Sequence, residues 1–142
     1  MIRVVLDTNT LVSAVINIKS SVASEIYQNF KEKHFLLVIS PLILTEIYDV
    51  LHRDKVMKFH HRSTEELQEV INELTSISYV VPGKTKVIVV RDPDDNKIVS
   101  AALEGQVDYI VSRDRDLLDL KEYKGIKIIT PEEFMGVLRS KN

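Results

Sequence analysis

The chain has 142 residues, 44% hydrophobic and 28% charged, with a formal net charge of −2 and no cysteine. That length suits one compact domain with a sizeable core, and the missing cysteines exclude disulfides, thiolate nucleophiles and Cys-ligated zinc. The slightly acidic balance argues against a protein that coats nucleic acid by bulk electrostatics, and no apolar run nears the roughly 20 residues that span a bilayer. Met1-Ile2-Arg3 leads straight into an apolar run, so no signal peptide is expected. A cytoplasmic protein of one domain, residues 1–142, with no membrane segment is expected.

In chain order, Ile2–Leu6 reads as a strand buried on both faces, being β-branched and unbroken. Leu11–Ile16 and Ser21–Lys31 read as helical, and Phe35–Ile39 as a second buried strand. Ser40 and Pro41 suit the N-cap and first position of a helix carrying Leu44, Ile47, Tyr48 and Leu51 on one face. Ser63 with Glu66 forms a capping box ahead of the stripe Leu67, Val70, Ile71 and Leu74. Tyr79–Val81 is a third strand, ended by Pro82-Gly83, and Val87–Val90 a short extension. Asn96–Glu104 is helical, with Gly105 suited to its end. Tyr109–Val111 and Lys127–Ile129 are the last two strands, and Thr130-Pro131-Glu132-Glu133 caps a C-terminal helix. Strands alternating with helices imply an α/β fold, a mostly parallel sheet of about five strands covered on both faces. Ligands in such sheets gather beyond the carboxyl ends of the strands, where the strand order reverses.

Acidic residues fall where that rule places chemistry. Asp7 follows strand one and Asp114 follows the strand Tyr109–Val111. Each could be only a cap or turn residue, and Asp116 could take the cap role from Asp114. Two carboxylates at the ends of strands that could be neighbours are harder to dismiss. Asp92-Pro93-Asp94-Asp95 supplies more acids than one helix start requires, with Asp92 the natural N-cap. Asp95 is the choice for the site, since it precedes Ile98, Ala101 and Ala102 on the buried face. Glu46 stands among Leu44, Thr45, Ile47 and Tyr48 and is either a site residue or a solvent-facing glutamate. Converging carboxylates repel unless protonated or metal-bound. An oxygen-only set, with no nearby cysteine or histidine, suits Mg²⁺ or Mn²⁺.

At these residues the sequence resembles the PIN-domain nucleases, and more narrowly the prokaryotic group of toxin–antitoxin toxins. The signposts are Val4-Val5-Leu6-Asp7-Thr8-Asn9, Ser40-Pro41 with Glu46, Arg91-Asp92-Pro93-Asp94-Asp95-Asn96-Lys97, Ala101-Ala102, and Asp108-Tyr109-Ile110-Val111-Ser112-Arg113-Asp114. The resemblance implies a three-layer α/β/α fold with strand order 3-2-1-4-5. It places the family's four acidic positions on Asp7, Glu46, Asp95 and Asp114, with Asp116 an additional acid and Asn9 and Ser112 in supporting roles. Ser112 stands where many members have threonine, which preserves the hydroxyl. A homodimer and a small antitoxin partner are implied as well.

The expected activity is metal-dependent hydrolysis of RNA, with Asp7, Asp95 and Asp114 as metal ligands and Glu46 completing the shell or orienting water. Substrate contact is assigned to His52–Arg62, which holds Arg53, Lys55, Lys58 and Arg62 against only Asp54. Phe59 or His60 is available for base stacking, and a solvated helix end and loop is the bland alternative. Two rival functions stand beside this one: a phosphatase with Asp7 as covalent nucleophile, which lacks an acid at Asn9, and a binding module for RNA or antitoxin with a vestigial site.

Overall fold

The computed structural model describes residues 1–16, 21–87 and 92–140, with the side chain of Phe59 also outside what is described. The expected extension at Val87–Val90 therefore lies mostly outside the described residues. The chain runs β1 (Arg3–Leu6), α1 (Thr8–Ile16), α2 (Val22–Lys31), β2 (Leu36–Ile39), α3 (Pro41–Leu51), α4 (Asp54–His60) and α5 (Thr64–Ile77). It continues through β3 (Tyr79–Val80), α6 (Pro93–Gly105), β4 (Tyr109–Val111), α7 (Arg115–Leu118), β5 (Glu122–Tyr123), β6 (Ile126–Ile129) and α8 (Pro131–Ser140).

The sheet has six strands in the order β3-β2-β1-β4-β6-β5. Its first five members in that order pair in parallel, so the expected 3-2-1-4-5 order holds once the strand at Lys127–Ile129 is numbered β6. The correction is β5, which pairs antiparallel with β6 through a turn at Lys124 and Gly125, both at positive φ. Two residues are too few to leave a periodic signal in the sequence.

Successive side chains of a strand point to opposite faces. Val4, Val5 and Leu6 are each no more than 1% exposed, so β1 is covered on both faces and the architecture has three layers. On one side α6 packs against β1, β2 and β4. Aromatic contacts run from Tyr27 and Phe30 through Phe35 to Phe134 of α8, which meets Phe35 edge-on at 5.1 Å between ring centroids. The expected helix starts are built as read: Ser40 caps α3, and reciprocal boxes link Ser63 with Glu66 and Thr130 with Glu133. On α3 the core-facing row is Ile43, Ile47 and Leu51; Leu44 and Tyr48 are only half-buried.

Two features around α6 fix its place. Glu104, near its C-terminal end, accepts hydrogen bonds from the backbone N–H of Gly83, Lys84 and Thr85 and from the Thr85 hydroxyl, at 2.5 to 2.8 Å. These bonds hold its carboxyl below the usual range and clamp the segment following β3 to the helix. Gly105 has a role other than the expected one. The left-handed residue that ends α6 is Gln106 (φ 50°), and Gly105 is its last helical residue. A Cβ on Gly105 would lie 2.5 Å from Val38 Cγ1, so the glycine permits close approach of α6 to β2.

Replacing Gly105 by alanine should therefore cost about 1–3 kcal/mol through overpacking, read as a lowered urea midpoint at unchanged slope. Adding Val38→Ala in the same chain should recover part of that loss. A Gly105→Ala protein as stable as the parent would contradict this packing.

Candidate active site

β1 and β4 are neighbours in parallel register, with Leu6 opposite Val111, so the residues that leave their carboxyl ends emerge together. The Asp7 backbone N–H donates to Val111 O at 3.1 Å and carries the ladder one step beyond the strand. Asp7 then starts α1, its Oδ1 accepting from the Thr10 N–H at 2.9 Å. Its other oxygen, Oδ2, accepts from the Ser112 hydroxyl at 2.5 Å. Ser112, wholly buried, also accepts from the Asp114 N–H at 2.9 Å. One hydroxyl thus ties the loop after β1 to the loop after β4.

Asp114 is the N-cap of α7, its Oδ1 accepting from the Asp116 N–H at 2.9 Å. Asp92 is the N-cap of α6 and accepts from the Asp94 N–H at 3.0 Å, with Pro93 at the first turn. Capping by Asp92 leaves Asp95, one turn into α6, to meet the cleft. Asp95 is 9% exposed, and its Oδ2 is buried without a hydrogen-bond partner among the described residues. Burial, then the adjoining Asp114 carboxylate, then the charges of Asp92 and Asp116, push the Asp95 carboxyl up to about 7.

Asp7, Asn9, Glu46, Asp95 and Asp114 line one cleft of about 240 Å³, together with Thr8, Val50, Arg53, Asp92, Asp94 and Ile98. Among the described residues, the carboxylates close enough to share one ion are Asp95, Asp114 and Asp116, with one oxygen from each lying within 4.8 Å of the others. This differs from the expected trio of Asp7, Asp95 and Asp114. Asp7 borders the cleft with both oxygens already engaged, while Asp116, read as an accessory acid, enters the cluster because α7 starts at Asp114 and folds it back. The orphaned Asp95 oxygen, in an all-oxygen donor set, fits a hard divalent cation.

Glu46 comes from α3, where it forms an ion pair with Lys97 of α6. Burial of the Lys97 ammonium lowers its pKa from the usual lysine value. Lys97 stands within a family signpost of the sequence without an assigned role there, and the structure sets it against Glu46. Its signal was Glu46 itself, an acid in an apolar stretch that needed a partner.

The basic segment does not act as one patch. It contains a helix of its own, α4, where the bland alternative expects a helix end and loop. Arg53 lines the acidic cleft, and Lys55 and Lys58 are exposed on α4. Arg62 instead borders a separate groove with Glu66, Glu69, Val70 and Glu73. His60 is only 7% exposed, which removes it as a stacking platform. Its Nδ1 accepts from the Arg62 N–H at 3.0 Å, so Nε2 carries the proton and donates to Leu51 O at 3.1 Å. The ring pins α4 to the end of α3.

Residues 3–116 match the PIN domain family. The uncharacterized protein MJ1680 of Methanocaldococcus jannaschii is 30% identical, over 94% of this chain and 90% of its own length. Two solved structures are similar in fold. One is VapBC2 from Rickettsia felis bound to a DNA fragment from their promoter, with a TM-score of 0.57 and 16% identity over 91% of this chain and 98% of that one. The other is FitAcB from Neisseria gonorrhoeae, with a TM-score of 0.55 and 14% identity over the same shares.

The raised Asp95 pKa has a definite sign in stability. The folded chain keeps that proton up to about 7, whereas an unfolded one releases it near 3.8, so this stabilisation is complete below 3.8 and lost as pH rises through 7. In chelator, Asp95→Asn should therefore gain stability over the parent between about pH 4 and pH 8, on the order of 1 kcal/mol after solvent screening. Urea melts of both proteins across that range would show it. A pH-independent difference would mean that Asp95 is not strained by burial.

Proposed function

This chain belongs to the PIN-domain family, and from that premise we propose that it is a metal-dependent ribonuclease hydrolysing phosphodiester bonds of RNA. PIN domains are in general nucleases. The observation that carries the metal-dependent reading is the Asp95 oxygen, buried and unpartnered beside the carboxylates of Asp114 and Asp116. Like charges are not gathered in a cleft without a counter-ion or a retained proton.

Asp95, Asp114 and Asp116 would hold the ion, Mg²⁺ or Mn²⁺. When bound, it would supply an activated water and stabilise charge developing on the phosphate. Asp7 has a different task. Held by the Thr10 N–H and the Ser112 hydroxyl, it is a fixed carboxylate at the cleft wall, able to orient water or an ion-bound ligand. With both oxygens so occupied it is poorly prepared to attack phosphorus, which weighs against the phosphatase reading. Glu46 and Asn9 complete the polar wall, and Arg53, the cationic residue that lines the cleft among the described residues, is available for the substrate phosphate.

RNA as the substrate follows the resemblance to the PIN nucleases. A toxin role, with a small antitoxin partner and a homodimeric assembly, follows the narrower resemblance and is supported by the fold shared with VapBC2 and FitAcB. A cytoplasmic setting suits that role. Among the described residues no helix is long and apolar enough to cross a membrane.

Cleavage of an unpaired RNA oligonucleotide, with Mn²⁺ added or chelated, tests the reading. Asp95→Asn and Asp114→Asn should each lower the metal-dependent rate by about 100-fold or more. Ser112→Ala should cost about 10- to 100-fold in metal affinity or rate, by releasing Asp7 and the Asp114 backbone. Full metal-dependent activity in Asp7→Asn would contradict its place in the site. In binding assays on the same oligonucleotide, Arg53→Ala should flatten the salt dependence by about one unit of slope. Arg62→Ala should leave it unchanged; the reverse pattern would move the RNA path to the other groove.

A further inference from the structure

Lys97 projects from the second turn of α6, two residues beyond Asp95, and its ammonium pairs with Glu46 Oε2. It also lies 3.8 Å from Asp94 Oδ1, on the rim. Only 16% of the Lys97 side chain and 31% of the Glu46 side chain is exposed, so this pair is largely withdrawn from water. A half-buried ammonium is retained at a cost in hydration, and a nearby carboxylate is what offsets it. The pair also links α3 to α6. Among the described residues Glu46 is absent from the close carboxylate group, which consists of Asp95, Asp114 and Asp116 alone. The cleft thus holds two acidic subsites of unlike kind: among the described residues the Asp95, Asp114 and Asp116 group has no ion-pair partner, and Glu46 is already matched to an ammonium by the fold.

We propose that Lys97 is a positioning residue that serves as the built-in counter-cation of Glu46, so that this site takes one divalent ion rather than two. The inference rests on the metal-dependent reading given above. Sites with two ions hold them about 3.5–4 Å apart, with carboxylates shared or facing across the pair. Here the carboxylate that would serve a second ion faces an ammonium instead. Lysine suits that place as a compact point charge. Its charge fixes the Glu46 carboxylate in the cleft wall while Asp95, Asp114 and Asp116 remain for the ion.

Counting Mn²⁺ by electron paramagnetic resonance titration tests this without any cleavage assay. The parent protein should bind one Mn²⁺ per chain. Lys97→Gln should take up a second, weaker ion, which is lost again in the Lys97→Gln, Glu46→Gln double variant. Lys97→Arg, which keeps the charge, should still bind one. Glu46→Gln alone should change the affinity of the single ion by less than about 3-fold, whereas Asp114→Asn should weaken it by about 10-fold or more. This last comparison decides the matter even where Lys97→Gln fails to fold. Two ions on the parent protein, one ion on a folded Lys97→Gln, or a tenfold loss in Glu46→Gln would each overturn the role given to Lys97. No Mn²⁺ on the parent protein would instead overturn the metal-dependent reading beneath it.

Discussion

The hydroxyl of Ser112 stands between two loops, donating to the Asp7 carboxylate and accepting from the Asp114 backbone. That contact exists because β1 and β4 are adjacent and in register, Leu6 against Val111, so that each strand delivers an aspartate to the same edge of the sheet. The adjacency follows in turn from the parallel order of the sheet, in which β2 and β3 lie on one side of β1 and β4 and β6 on the other. The strand order reverses between β1 and β4, and a crevice opens where it does. The cleft lies there.

Helix starts do the rest of the positioning. Asp92 and Asp114 satisfy the exposed N–H groups at the beginnings of α6 and α7, and in doing so they set where Asp95 and Asp116 fall. Capping and site-building are therefore not competing explanations for these acids. The same short motifs do both. The cost is electrostatic, and it is concentrated on Asp95, whose burial among like charges raises its pKa to about 7. A carboxyl held so unfavourably in a cleft is characteristic of a site that binds or transforms something. At the neighbouring subsite Lys97 removes the same tension from Glu46 by a fixed charge.

Much of the fold could be read from the sequence because its signals are local and periodic: buried β-branched strands, and helix starts marked by Ser40-Pro41, Ser63 with Glu66, and Thr130 with Glu133. Asp7 and Asp114 were legible for the same reason, since a strand end is a local feature. Choosing Asp95 among three neighbouring acids needed the buried spacing of α6 and the family resemblance together. What escaped depends on tertiary contacts. The grouping of Asp116 with Asp95 joins α7 to α6, the Lys97–Glu46 pair joins α6 to α3, and Gly105 answers to Val38 on β2 rather than to its own helix end. The basic run His52–Arg62 looked continuous in sequence, yet helix geometry sends Arg53 to the cleft, turns His60 inward and leaves Arg62 at another groove.

The central claim is that the three carboxylates of Asp95, Asp114 and Asp116 hold a divalent cation in the cleft beyond β1 and β4. A crystal of the protein soaked in Mn²⁺ and measured for anomalous scattering tests this most directly. The account predicts a manganese peak within coordination distance of oxygens from those three residues, with Asp7 at its margin. A soaked crystal with no peak in the cleft, or with manganese bound away from Asp95 and Asp114, would contradict it.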